Sequence, residues 1–464
     1  MVLPSSMKRV PIPCQEPQQR ILNFDETTLG YTPDLAVQEA SRCLHCKNRP
    51  CQKACPVGND IPGFIGKIAD GDFTGASKVL AKTTSLPGIC GRVCPHEKQC
   101  EGACTRGIRG DAVAIGGLER FVADQQRENG ALPAPVACNG SRVAVVGSGP
   151  SGLSAAGDLV KAGYQVTVFE SLDVLGGVLT YGIPSFRLPR AVVEAEVNNL
   201  RALGVEFQTS MVIGNVLTVD DLFAEGYRAV YLATGASSPR FLGIPGENLK
   251  GVCTANEFLT RVNLTPNFPH DAWGVAKNVV VVGGGNVAMD AVRCAARLGP
   301  DSVTLVYRRG EEELPAGREE IQQAHEEGVR FRMLCNPIAL TGDAAGYVQQ
   351  VHCVEMRLGK PDASGRRAPM AVPGSGFTLN ADLVILALGT RASPLVTRDT
   401  PGLDTDSWGC FITCDSQGQT THAGVYAGGD AVTGPATVVE AMSAGKRAAS
   451  AIDHYIQSHT VSQS

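Results

Sequence analysis

The sequence predicts an α/β protein in which two Rossmann-like dinucleotide-binding domains follow a cysteine-rich α-helical domain. Three observations predict it. Short apolar runs bounded by Gly alternate with helical stretches from Ser141 onward. Two Gly-rich fingerprints lie 136 residues apart, at Gly147 and Gly283. Eight of the sixteen cysteines fall between Cys43 and Cys104. At ~150 residues per domain, 464 residues make several domains, and 53 Gly with 5% aromatics suits tightly turned α/β units.

Composition excludes some functions. A net charge of −5 and a pI near 6.0 argue against nucleic acid or an anionic membrane as the main partner. No apolar run reaches the ~18 residues of a spanning helix. The N-terminus, MVLPSSMKRVPIPCQEP, has no apolar signal region. A cytoplasmic protein without a disulfide framework is therefore expected.

Residues 1–138 are punctuated by Pro and Cys and predict short helices without strands. One helix starts at Thr32-Pro33, a cap followed by Pro at the first helical position, and runs through Arg42. Others are expected over Asp72–Lys82 and Ala112–Gln126. After Ser141, the runs Arg142–Val146, Gln165–Phe169, Ala229–Ala233, Val279–Val282, Val303–Val306, Leu383–Leu388 and Val425–Ala427 read as strands buried on both faces. The domains expected are 1–138 (helical), 139–264 and 378–464 (first dinucleotide domain, in two pieces) and 265–377 (second, inserted).

The cysteines read Cys43-x2-Cys46-x4-Cys51-x3-Cys55-Pro56 and Cys90-x3-Cys94-Pro95-x4-Cys100-x3-Cys104. Iron–sulfur clusters need thiolates delivered from short loops, with a neighbouring Cys-Pro sending one ligand elsewhere. Structural zinc is the alternative, since Cys-x2-Cys also suits a tetrahedral ion. Spacing alone divides all eight cysteines between two all-thiolate clusters.

The first fingerprint, Gly147-Ser148-Gly149-Pro150-Ser151-Gly152, joins a strand to a helix. Gly147 permits the turn, Gly149 admits a pyrophosphate and Gly152 lets helix and strand pack. Glu170, 23 residues after Gly147, ends the next strand, where an acid accepts from ribose hydroxyls. The second fingerprint is Gly283-Gly284-Gly285-Asn286-Val287-Ala288. After its next strand comes Tyr307-Arg308-Arg309, where an NAD site places an acid; two guanidiniums suit a 2′-phosphate, hence NADP(H). The Glu-terminated first site is assigned to FAD.

The segments CLHCKNRPCQKACPVGNDIP, LPGICGRVCPHEKQCEGAC and AVAIGGLERF resemble the iron–sulfur segment of the glutamate synthase small-subunit family, which includes the N-terminal part of dihydropyrimidine dehydrogenase. The resemblance implies two 4Fe-4S clusters with crossed ligands: Cys43, Cys46, Cys51 and Cys104 for one, and Cys55, Cys94, Cys100 and Glu119 for the other. It leaves Cys90 a bystander. Val425–Asp430 with Ala436-Thr437-Val438 resembles the flavin-closing motif of two-dinucleotide flavoproteins, with Gly429 and Asp430 at the FAD. Gly177 and Arg187, in segments that resemble the family's, are implied FAD contacts. The N-terminal stretch looks closer to the large subunit of NADH-dependent ferredoxin:NADP transhydrogenase. That implies electron bifurcation in a hetero-oligomer, with ferredoxin and an NAD-binding flavoprotein as partners. The alternative is the NADPH-oxidising small subunit of glutamate synthase, feeding a large subunit that forms glutamate. A third reading is a zinc-stabilised binding module with inactive nucleotide folds. Both fingerprints keep the glycines that admit a phosphate, which argues against it.

Beyond Cys138 no Cys-x-x-Cys occurs, so a disulfide relay is not expected, and Cys410 and Cys414 read as structural. No acid–base dyad is needed, because the cofactors carry the chemistry.

Overall fold

The structure is a computed structural model and describes residues 7–265, 276–361 and 365–461. Its first part is helical, as Pro-started turns and side-chain caps dictate. Thr32 accepts from Leu35 N at the start of the helix Pro33–Ala40, and Asp60 and Asp72 cap Ile61–Ala69 and Phe73–Leu80 in the same way. Phe64, Ile65, Ile68 and Leu80 form the core with Leu118, Phe121 and Val122 of the helix Ile115–Asn129.

Two parallel sheets follow. The first has the order Val425–Ala427, Tyr227–Leu232, Arg142–Val146, Gln165–Phe169, Glu206–Gln208. Its outer strand thus comes from the C-terminal piece, in register with Val230–Leu232. The helix Val438–Val461 packs on the fingerprint helix Pro150–Lys161. Gly445 makes this possible, since a Cβ there would stand 2.2 Å from Ser151 O.

The second sheet has the order Val252–Thr254, Leu383–Leu386, Asn278–Val282, Ser302–Tyr307, Arg330–Met333. This corrects the inner boundaries 139–264, 265–377 and 378–464. Val252–Thr254 and Leu383–Leu386, assigned by sequence to the first domain, pair with each other, and Leu383–Leu386 pairs in turn with Asn278–Val282 in the second. Each is a short apolar run, and only its neighbours in the sheet reveal which unit it completes.

An antiparallel sheet of Cys335–Gly342, Val348–Pro361, Arg367–Ala371 and Phe377–Asn380 was not expected. These strands bury one face, with Leu340, Val348, Val351 and Cys353 packing under Val280, Val282 and Val306. Their polar outer face hides them from a search for uniformly apolar runs.

The N-terminal segment crosses to the second unit. Arg20 meets Glu327 at 2.8 Å, and Arg293 and Arg297 converge on the same carboxylate, with bonds as short as 2.8 and 2.7 Å. Among the described residues no helix is long and apolar enough to cross a membrane.

Candidate functional site

Cys43 follows the helix Pro33–Ala40 with its N–H on Ala40 O, and Cys51 lies on the turn Pro50–Lys53. His45 and Arg49 adopt the left-handed backbone that curls the loop between them. Cys43, Cys46, Cys51 and Cys104 line a single pocket, walled by Ile61, Ile65, Val113 and Ile115. These are the four thiols of the first crossed set. Burial pushes the Cys51 thiol up to about 11 and raises Cys43 as well, so these two thiols hold their protons until an electrophilic metal takes their place. Among the described residues no three His, Cys, Asp or Glu converge tightly enough to hold one ion. Sulfurs spaced around a pocket fit a cluster better than tetrahedral zinc.

The second set gathers around Glu119. Its carboxylate is buried, accepts from Asn59 Nδ2 at 2.9 Å and has no cation partner among the described residues. Burial pushes it up to about 8 against the pull of Asn59. Its charge reaches Cys55, Cys94 and Cys100, whose thiols are raised: Cys55 and Cys100 chiefly by burial, while at Cys94 the lowering hydrogen bond with Cys90 is outweighed by burial together with the charges of Glu119, Cys100 and Cys55. Three thiols and one uncompensated buried carboxylate fit a group that brings positive charge. Cys90 is buried behind Cys94 and turns its Sγ toward Met442 Sδ, at 3.6 Å. Sequence reasoning missed one neighbour, Asn59, and gave another, His96, no role beyond lying near the clusters. Asn59 aims Glu119, and His96 Nε2, between Cys94 and Cys100, is buried without a partner. Their nearness to a Cys-Pro pair was the only signal.

At the first fingerprint, Gly147 has φ +105°, and a Cβ there would meet Ala233 O at 2.4 Å. Gly149 faces open space, and a Cβ on Gly177 would come within 3.1 Å of Gly149 Cα, so both border one opening. Pro150 starts the helix that leaves it. Glu170 Oε2 accepts from Ser148 N and Oγ at 2.9 and 2.6 Å, and Oε1 from Leu172 N at 3.0 Å. The buried carboxylate therefore ties the fingerprint turn to the end of the next strand and shapes the opening. From the C-terminal piece, Gly429 backs onto Ser151, and Asp430 accepts from Ala436 N at 3.2 Å. Burial pushes Asp430 up to about 6. Thr437 and Glu440 cap each other and open the helix at Val438. The cradle fits a dinucleotide at a helix N-terminus.

Arg187, the FAD contact implied by the resemblance, has its protein partners in the second unit. Its Nη1 donates to both oxygens of Asp290, at 2.8 and 2.7 Å, and Nη2 meets Glu320. Both carboxylates belong to the second unit.

At the second fingerprint, Gly283 lies at φ +150° against Ala387 O, and Gly285 faces open space. Asn286 Oδ1 accepts from Gly317 N at 3.1 Å, and Val287 is exposed. The two arginines part company. Arg308 is exposed at the end of its strand, whereas Arg309 is buried and donates through Nε to Arg367 O at 2.9 Å. One guanidinium is open to a 2′-phosphate; the other anchors the antiparallel sheet.

Residues 20–131 match the family described as dihydropyrimidine dehydrogenase domain II, 4Fe-4S cluster, and residues 141–445 match the pyridine nucleotide-disulphide oxidoreductases. The glutamate synthase [NADPH] small chain of Halomonas elongata is 38% identical over 94% of this chain and 94% of its own. The subunit beta of an NADP(+)-dependent formate dehydrogenase from Moorella thermoacetica is 40% identical over 89% of this chain, which spans 60% of that protein. Mycobacterium tuberculosis FprA in complex with NADPH shares the fold, with a TM-score of 0.58 and 23% identity over 70% of this chain and 86% of its own. A helical 4Fe-4S domain thus precedes a FAD and NADP reductase fold, and the chain is an oxidoreductase that belongs to the glutamate synthase small-chain family.

Proposed function

We propose that the chain takes electrons from NADPH through FAD and two 4Fe-4S clusters to a partner chain. FAD, held at Gly149, Gly177 and Asp430, would supply the exchange between a two-electron hydride and the single electrons that clusters carry. The observation that carries this reading is the adjacency of the sites. Met442 and Ser443, on the helix that opens at the FAD cradle, touch Cys90 and Pro56, with Ser443 Oγ donating to Pro56 O at 2.8 Å. Cys55 packs against both the FAD-unit core and the helical core that holds the first thiol set. The order supported is FAD, the cluster at Glu119, then the cluster at Cys43.

The protein's own residues hold and shape this path. Ser148, Gly149, Ser151, Glu170 and Gly177 form the opening for FAD, Asp430 and the Val438 helix end close it, and Arg308 selects NADPH. Cys43, Cys46, Cys51 and Cys104 hold one cluster, and Cys55, Cys94, Cys100 and Glu119 the other. His96 Nε2, buried against Gly116 without a protein partner, is left to donate to a cluster sulfur.

The partner that the relatives support best is a glutamate-forming large subunit, as in the glutamate synthase of Halomonas elongata. The N-terminal resemblance keeps a second reading, a bifurcating transhydrogenase with ferredoxin and an NAD-binding flavoprotein. Either works in the cytoplasm, where thiolates stay reduced. Anaerobic purification tests both levels. The protein is expected to be brown-yellow, to bleach with NADPH, and to bring its partner chain with it. A colourless protein containing zinc would overturn the reading.

A further inference from the structure

The covalent connection between the two nucleotide units is thin. The chain leaves the first unit after Tyr227–Leu232 and returns after Leu383–Leu386, and the crossings are joined by the two-residue strands Ser238–Pro239 and Thr390–Arg391 and by one bond beside them, from Arg240 N to Gly389 O at 3.1 Å. Two residues a side do not fix the angle between two domains.

The angle is fixed at Tyr181–Arg187 of the first unit, which two helices of the second unit grip. From the helix Ala255–Leu264, Asn263 Nδ2 donates to Tyr181 O and Ile183 O at 3.2 and 3.3 Å. From the helix Asn286–Arg297, Arg293 and Arg297 lie over the Phe186 ring at 4.6 and 4.0 Å. Asp290, on the same helix face, takes Arg187 through both oxygens. Among the described residues, Arg187 with Asp290 and Glu320 makes the only ion pairs that join these two units.

Position gives this pair its meaning. The helix bearing Asp290 starts at the second fingerprint, so its N-terminal turn would face the pyrophosphate of a bound NADP while its side holds Arg187. Arg187 follows Gly177 of the FAD opening by ten residues. An apolar contact tolerates sliding, whereas a guanidinium whose Nη1 is held by both oxygens of buried Asp290 and whose Nη2 meets Glu320 is fixed at two nitrogens. We propose that Asp290 is a positioning residue which, acting through Arg187, sets how the nicotinamide-bearing unit stands against the flavin. This rests on the NADPH-to-FAD reading above. Hydride transfer is steep in geometry: a ~1 Å misplacement costs roughly 10²-fold in rate.

The test uses the full chain with FAD and clusters, as wild type, Asp290→Asn and Asp290→Glu. Asn keeps the size of the side chain, and Glu320 still pairs with Arg187, so the fold is retained. In Asp290→Asn, flavin bleaching by NADPH in stopped flow should slow at least ~10-fold. NADP+ affinity measured by calorimetry should stay within about threefold, because no phosphate contact is removed. Amide exchange over 181–187 should accelerate, and Asp290→Glu should recover most of the rate. Unchanged bleaching and exchange would overturn the proposal. So would loss of FAD, or a fall in NADP+ affinity that matches the rate loss, since either makes Asp290 a plain binding or structural residue. If wild type itself does not bleach, the functional reading fails, and amide exchange alone then decides whether Asp290 fixes the two units.

Discussion

Cys90 and Met442 stand sulfur to sulfur at 3.6 Å although 352 residues separate them in sequence. The contact seams the iron–sulfur domain to the helix that closes the FAD unit, and it spends the Cys90 thiol on packing. Cys90→Ser should therefore leave the iron and sulfide content of the protein unchanged. Glu119→Ala should remove or convert one cluster, seen as a changed EPR signal with the other cluster intact. The reverse pattern in these two variants would refute the crossed ligand sets.

Arg308→Ala should raise the KM for NADPH by about 10- to 100-fold, the equivalent of a hydrogen bond to a charged group worth ~1.5–3 kcal/mol. NADH kinetics should barely change. Arg309→Ala should alter NADPH kinetics less and lower the melting temperature, because its bond to Arg367 O holds the antiparallel sheet. Equal losses for both nucleotides in Arg308→Ala would remove the case for a 2′-phosphate site.

The glycines of the first fingerprint should separate folding from binding. Gly147→Ala places a Cβ 2.4 Å from Ala233 O at φ +105°, so the protein should be destabilised and lose FAD together. Gly149→Ala meets nothing within 4 Å. It should fold with near-wild-type stability and still bind FAD weakly, since the new methyl occupies the pyrophosphate's approach. Flavin content and melting temperature, measured on both variants, decide the point.

Glu327 gives a signed pH dependence. Burial would raise its carboxyl, yet Arg293 and Arg297 outweigh burial and hold it at about 2, below its ordinary 4.5. A lowered acid contributes stability fully above pH 4.5 and loses it as pH falls toward 2. The contribution is on the order of 3 kcal/mol. Glu327→Gln should cost roughly 3–5 kcal/mol at pH 7, because it leaves buried guanidiniums without their carboxylate. The gap from wild type should close as urea melts are taken from pH 5 to pH 2. A gap that stays constant over that range would show that the cost is one of packing alone.

What the sequence showed and what it hid follow one rule. Gly147, Gly149, Gly283 and Gly285 were legible because a fingerprint is local: the turn, the strand before it and the helix after it lie within ten residues. The four thiols in the first pocket were legible from a family likeness, whereas spacing alone would have enlisted Cys90. Hidden were relations between distant segments. Leu383–Leu386 belongs to the second sheet because Val279–Val282 lies beside it. Arg187 turns to Asp290, and Arg309 to Arg367, because of what the fold brings near. An arginine in a motif shows that a positive charge is available; only its neighbours show where that charge is used.

Glu196 lies deep in the FAD unit, yet it accepts from Gly88 N of the iron–sulfur domain at 2.7 Å. Arg20, from the same N-terminal part, reaches Glu327 in the NADP unit. The cysteine-rich part is thus a wall shared with both nucleotide units. Cutting the chain at the start of residues 141–445 would strip a buried carboxylate of its donor and open a charged cluster to water. The reductase half of this protein is therefore not a detachable module, and grafting it alone onto another electron carrier should yield an unstable protein even with both nucleotide fingerprints intact.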